Sequence, residues 1–92
     1  MNESEFEAKL KADGYTEITN ERLEPRPGKG HHDHHFAIRG LVLDGTFTVN
    51  QNGQSTTYTA GQIFDVADGY PHDESIGPEG ARVIIGRKYA KA

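Results

Sequence analysis

The stretch HHDHHFAIRGLVLDG, residues 31–45, decides the fold. Four of the chain's five histidines fall in it, broken only by Asp33, and they run straight into an apolar segment. Side chains alternate faces along extended backbone, so His32 and His34 share one face with Phe36, Ile38, Gly40 and Val42. That set is what the inside of a small barrel requires, with two imidazoles converging at one end. His31, Asp33 and His35 point the other way or belong to the loop. A solvated histidine patch or the remnant of an affinity tag would also be histidine-rich. This run, however, is internal, is interrupted by an aspartate and leads into a strand. The spacing alone leaves metal binding and a bland surface loop both open.

Working outward, the turns set the architecture. Asp44-Gly45 followed by the alternating Thr46-Phe47-Thr48-Val49 reads as a hairpin, and Asn52-Gly53 as a second one leading into Gln54–Thr59. Ala60-Gly61 precedes a strand at Ile63–Val66, and Ala67–Pro71 is a loop before a short strand at His72–Ile76. Gly77-Pro78-Glu79-Gly80 reads as a turn, with Ala81–Lys88 as the last strand. Tyr15–Leu23 is β-type before the loop of Pro25, Pro27, Gly28 and Gly30. Turns every 8 to 12 residues, with no helices between, predict an antiparallel sandwich or barrel. The inward positions are expected to include Phe36, Ile38, Val42, Phe47, Val49, Phe64, Val83 and Ile85. Ahead of the strands, residues 4–13 read as a short helix. Ser4 and Glu7 fit a capping box, Phe6 and Leu10 share a face, and Gly14 is the stop.

Composition excludes several classes. The 92 residues allow one domain, 1–92, with its barrel at about 15–88. Leu, Ile, Val and Phe total only 18, but a net charge of −4 is too small to make the chain disordered. Ten basic residues against fourteen acidic, without a Lys/Arg cluster, argue against nucleic acid and anionic membranes as partners. There is no cysteine, so disulfides, thiolate catalysis and thiolate metal sites are excluded. The opening MNESEFEAKL is charged where a signal peptide is apolar, and no apolar run approaches the roughly 20 residues of a membrane helix. The expected location is the cytoplasm. No nucleophile-elbow serine or phosphate-binding glycine loop occurs.

Two motifs together resemble the cupin superfamily. The first cupin motif is G-x5-H-x-H-x3-E-x6-G, and His32-Asp33-His34 matches its paired histidines with Gly45 at its closing glycine. The second is G-x5-P-x-G-x2-H-x3-N, and Gly61 with Gly69-Tyr70-Pro71-His72 matches it with the histidine in register. The resemblance covers about Arg26–Lys88. The opening glycine of the first motif is displaced, Ala67 stands for the second motif's proline and Ile76 for its asparagine. It implies an all-β double-stranded β-helix, the small jelly-roll barrel of the cupins, with a short N-terminal α-helix, and a homodimer as in many small cupins.

The resemblance also implies a metal site with one departure. Where the motif has glutamate this chain has Ile38, leaving three neutral imidazoles, His32, His34 and His72. Such a set suits a divalent ion such as Fe, Zn, Ni or Mn, with open positions for water, oxygen or substrate. Glu74, two residues after His72, is the carboxylate nearest to replacing the lost one. It is a fourth ligand, an acceptor for an imidazole N–H or a general base, or else an exposed strand-end glutamate. Phe36 and Ile38 are expected in the pocket and Tyr70 at its mouth, unless Tyr70 is an ordinary loop aromatic. Arg39 has outward parity. Two functions follow: a three-histidine metal centre acting on a small organic molecule, in the manner of cupin oxygenases or as a hydrolase, lyase or isomerase; or a non-catalytic module that binds a small molecule.

Overall fold

The computed structural model of the chain describes residues 2–28, 30 and 35–89. The order is α1 (Glu3–Ala12), β1 (Thr16–Leu23), β2 (Phe36–Gln51), β3 (Gln54–Tyr58), β4 (Ile63–Val66) and β5 (Asp73–Tyr89). All pairings are antiparallel. The two long strands β2 and β5 pair from Phe36↔Tyr89 to Asn50↔Asp73. At one end β2 also pairs with β4, through Ile38↔Val66 to Leu41↔Ile63, and β5 with β1. At the other end β2 pairs with β3, from Phe47↔Tyr58 to Gln51↔Gln54. The result is the expected jelly-roll barrel of all-β type.

The barrel core follows the parity read from the sequence. Ile38, Val42, Phe47, Val49, Phe64 and Val83 are buried in one cluster, with Phe36 and Ile85 packed against it. The opposite faces of β2 and β5 carry Leu41 and Ile84, buried with Phe6, Leu10 and Tyr15. So the shared sheet is apolar on both sides, the barrel on one and α1 on the other. A ten-residue helix is marginal by itself, and full burial of Phe6 and Leu10 supplies about 1.5–3 kcal/mol each.

The helix ends are well determined. The cap is Asn2, two residues before the expected Ser4. Its side chain accepts from the Glu5 backbone N–H at 2.8 Å, and the Glu5 carboxylate accepts from Asn2 N–H at 3.2 Å. Both Asn2/Glu5 and Ser4/Glu7 have the capping-box spacing, and the upstream pair leaves Phe6 in helical register for burial. At the other end Tyr15 N–H bonds to Leu10 C=O and Gly14 N–H to Lys11 C=O, a Schellman closure, with Tyr15 and Leu10 in the same cluster.

Two expected turns are not turns. Asp44-Gly45 lies inside the continuous strand β2, at register shifts between Val42 and Asp44 and between Gly45 and Phe47. Gly77–Gly80 lies inside β5, four residues opposite Thr46 alone. Both are bulges, which bend paired strands without ending them. They let β2 and β5 turn together from the part of the sheet flanked by β1 and β4 into the part flanked by β3. Asn52-Gly53 is a true hairpin, both residues having positive φ (51° and 78°) as the two-residue turn demands.

Gly45 and Gly53 have nearly equal φ, 76° and 78°, but different surroundings. A Cβ on Gly45 would collide with the Gly80 carbonyl oxygen, whereas one on Gly53 meets nothing within 4 Å. Gly53→Ala is therefore expected to cost only the left-handed backbone penalty, about 1–2 kcal/mol, and Gly45→Ala about 2–5 kcal/mol once overpacking is added. Urea unfolding of the two variants checks this, and equal losses would mean that the bulge yields freely.

Candidate functional site

His72 stands at the entry to β5. A turn closed by Tyr70 N–H to Ala67 C=O brings the chain into the barrel, and Pro71 holds it extended. The His72 side chain is fully buried. Its Nδ1 lies 3.1 Å from the Tyr70 carbonyl oxygen, which can only accept, so Nδ1 carries the proton. Its Nε2 lies 3.0 Å from Glu74 Oε2.

Glu74 is not an exposed strand-end residue. Its side chain is 16% exposed, on the same face as His72 because period two separates them. Its backbone N–H is held by Asp73 Oδ1 at 2.9 Å. Arg26, from the loop after β1, reaches it twice: Nη1 donates to the Glu74 carbonyl at 2.7 Å and Nη2 lies 3.5 Å from Oε1. Arg26 is itself fixed by a reciprocal backbone pair with Ile76. The guanidinium offsets one oxygen of the carboxylate while the other faces the imidazole.

With the imidazole neutral, that arrangement sets two acceptors face to face. The Nε2 lone pair and a carboxylate oxygen at 3.0 Å require something positive between them, a proton or a metal ion. The same 3.0 Å is both a hydrogen-bond length and the edge between ligand atoms at right angles on one octahedral ion with bonds of about 2.1 Å. An imidazole nitrogen and a carboxylate oxygen so placed are compatible with two neighbouring positions on such an ion. His31, His32, Asp33 and His34 lie outside the described residues. Among the described residues no group of three or more His, Cys, Asp or Glu side chains is arranged to hold a metal. His35, just ahead of β2, is exposed.

Glu74 and Arg26 face a cavity of about 160 Å³ in the barrel. Phe36, Ile38, Phe47 and Phe64 supply its apolar wall, with Phe47 and Phe64 stacked at 4.4 Å between ring centroids. Phe36 and Ile38 are on the wall of this cavity. Tyr70 does not line it. Its side chain borders a separate polar depression with Gln51, Gln54 and Tyr58, and it serves the site only through its carbonyl. The loop from Ala67 to His72 turns the Tyr70 ring outward, 40% exposed.

Arg39 has the outward position expected of it. It bonds Asp65 through Nε at 2.8 Å and Asp13 through Nη1 at 2.7 Å, and lies over the Tyr15 ring. The hydrogen bond it donates to Asp65 is the main reason its pKa is raised, against an opposing desolvation, with Asp13 adding to the rise. This is a clamp between helix and sheet, outside the barrel.

Three charged residues of the cavity escaped the sequence reading: Arg26, Arg87 and Glu21. Arg87 was legible, since Val83, Ile85 and Arg87 alternate onto one face. Arg26 carries no such signal, because it enters from a loop.

Solved structures place this architecture. Over 80% of this chain and 68% of the other, it superposes on an RmlC-like cupin from Shewanella frigidimarina with TM-score 0.62 and 25% identity. The fold is that of the cupins. A cupin protein from Bacteroides fragilis matches with TM-score 0.64 and 15% identity over 82% of this chain and 66% of that one. A predicted oxalate decarboxylase from Thermotoga maritima matches with TM-score 0.66 and 16% identity over 89% and 73%. No family model and no curated protein matches the sequence. Ile38, which the resemblance sets at the first motif's carboxylate position, lies on the inner wall, and Glu74 is the carboxylate beside His72. No helix among the described residues is long and apolar enough to cross a membrane.

Glu74→Gln tests the acceptor-to-acceptor contact. The amide keeps the shape and supplies an N–H to Nε2, while the Arg26 bond to the backbone carbonyl is untouched. The lost ion pair is long and costs at most about 1 kcal/mol. In EDTA the variant is expected to melt at or above the parent. A loss above about 2 kcal/mol would instead show that a proton already bridges the pair.

Proposed function

We propose that this small cupin binds a divalent metal ion through His32, His34 and His72, with Glu74 alongside, and presents it to a small organic molecule in the barrel cavity. The observation that carries the proposal is the buried His72, held at Nδ1 by the Tyr70 carbonyl with its Nε2 3.0 Å from the Glu74 carboxylate. A histidine kept only for packing has no need of that arrangement. His32 and His34 enter on their spacing and on their match to the first cupin motif. When bound, Fe, Zn, Ni or Mn supplies a Lewis acid with open positions for substrate, water or oxygen.

The protein's own groups do the remainder. Tyr70 O fixes the imidazole, as partners of ligating histidines generally do. Arg26 holds the Glu74 carboxylate in place and offsets its charge, leaving Oε2 to accept or return a proton at the inner end of the cavity. Phe47 and Phe64 exclude water from the reacting side. A structural neighbour is described as a predicted oxalate decarboxylase, which supports chemistry on a small molecule as the class. The apolar wall also favours a second reading, a binding module without turnover.

Elemental analysis of untagged protein, beside His72→Ala, tests the proposal. Near-stoichiometric metal is expected in the parent and its loss in the variant. Iron or manganese with oxygen uptake would identify an oxygenase. No metal in the parent after reconstitution would overturn the metal centre and leave the binding module.

A further inference from the structure

We infer that the barrel cavity takes a small organic acid of about the size of benzoate, with its carboxylate held by Arg87. The inference rests on the barrel interior being the ligand site, as proposed above, but not on the metal. The cavity volume, about 160 Å³, is close to that of an apolar protein cavity of about 150 Å³ that admits benzene. A ligand of one ring or an equivalent short chain fills it.

The charges on the wall decide which end of such a ligand is polar. Among the described residues, four charged ones line the cavity: Glu21, Arg26, Glu74 and Arg87. Glu74 is engaged by Arg26 and His72. Glu21 accepts a hydrogen bond from the Thr19 hydroxyl at 2.7 Å and sits opposite Val83, four residues along β5 from Arg87, or about 13 Å of strand. Arg87 pairs in register with Ile38 and is half-buried, its guanidinium carbon 5.5 Å from the centroid of the Phe36 ring. Among the described residues it forms no ion pair with a carboxylate. A guanidinium lying over a ring keeps its N–H groups directed outward in its own plane, the fork that binds a carboxylate in bidentate fashion. The Phe36 ring beneath it and the Phe47–Phe64 stack then receive the apolar body. Arg26 is an unsuitable anchor, since it is already committed to the Glu74 backbone.

The test uses the full chain and titrates benzoate, benzamide and benzylamine by calorimetry, first in EDTA and then with Zn²⁺. In EDTA the parent is expected to bind benzoate at least about tenfold more tightly than benzamide, with benzylamine weakest. Arg87→Gln is expected to bind benzoate and benzamide equally. Arg87→Lys is expected to retain part of the preference, as a point charge without the fork. Equal binding of benzoate and benzamide by the parent would overturn the inference, and so would tighter binding of benzylamine or no binding of any of the three. A preference that arises only with Zn²⁺ and survives Arg87→Gln would also overturn it, assigning the carboxylate to the ion and leaving the metal reading intact. Conversely, an Arg87-dependent preference in EDTA stands even if the protein holds no metal. The parent's benzoate-to-benzamide ratio decides the matter should Arg87→Gln fail to fold.

Discussion

The pairing of β2 with β5 over almost their whole length is the contact on which the rest of the molecule rests. Because the side-chain period of a strand is two, this one ribbon has two faces with separate duties. Its inner face closes the barrel over Phe47, Phe64 and Val83. Its outer face gives α1 the apolar bed without which ten residues would not stay helical. A slip of one residue would exchange the two faces and destroy both cores at once, so register here is specified twice over. The bends at Gly45 and at Gly77–Gly80 allow the same ribbon to serve both halves of the sheet.

Polar groups inside so small a barrel have to satisfy one another. Burying a carboxylate costs several kcal/mol unless it is paired and hydrogen-bonded. Glu74 meets that condition in part through Arg26, and His72 in part through the Tyr70 carbonyl, while the contact between Nε2 and Oε2 is completed only by a proton or a metal ion between them. The loop after β1 is therefore part of the site even though it belongs to no strand. Its backbone pair with Ile76 places Arg26 before any ligand arrives, so little ordering remains to be done on binding.

The parts of this design that obey a period were legible in the sequence. Alternation along 36–42 and 83–85 named the inner wall, and the four-residue spacing of Phe6 and Leu10 named the face of the helix that is buried. Punctuation was less legible, because Asp-Gly and Asn-Gly, alike as turn signals, serve two geometries here. A glycine with positive φ ends a hairpin at Gly53 and only bends a strand at Gly45. What separates them is a partner strand far away in sequence, which local reading does not contain. The site was legible in the same uneven way. His72 and Glu74 follow from motif and parity, and Arg87 from the parity already applied to Val83 and Ile85. Arg26 depends on a loop path, and Tyr70 on the sense of a turn, and neither has a period to read.

The irregularity opposite Thr46 has a consequence for how this chain tolerates change. Four residues of β5, Gly77–Gly80, answer to one of β2, and Pro78 and Glu79 among them are exposed. Pairing resumes on either side, at Ile76 with Phe47 and at Ala81 with Gly45. The ladder therefore keeps no count of residues across this point. Here the chain can lengthen without moving His72 and Glu74 on one side or Ile85 and Arg87 on the other, so new sequence can be acquired at a corner of the barrel while the cavity keeps its shape.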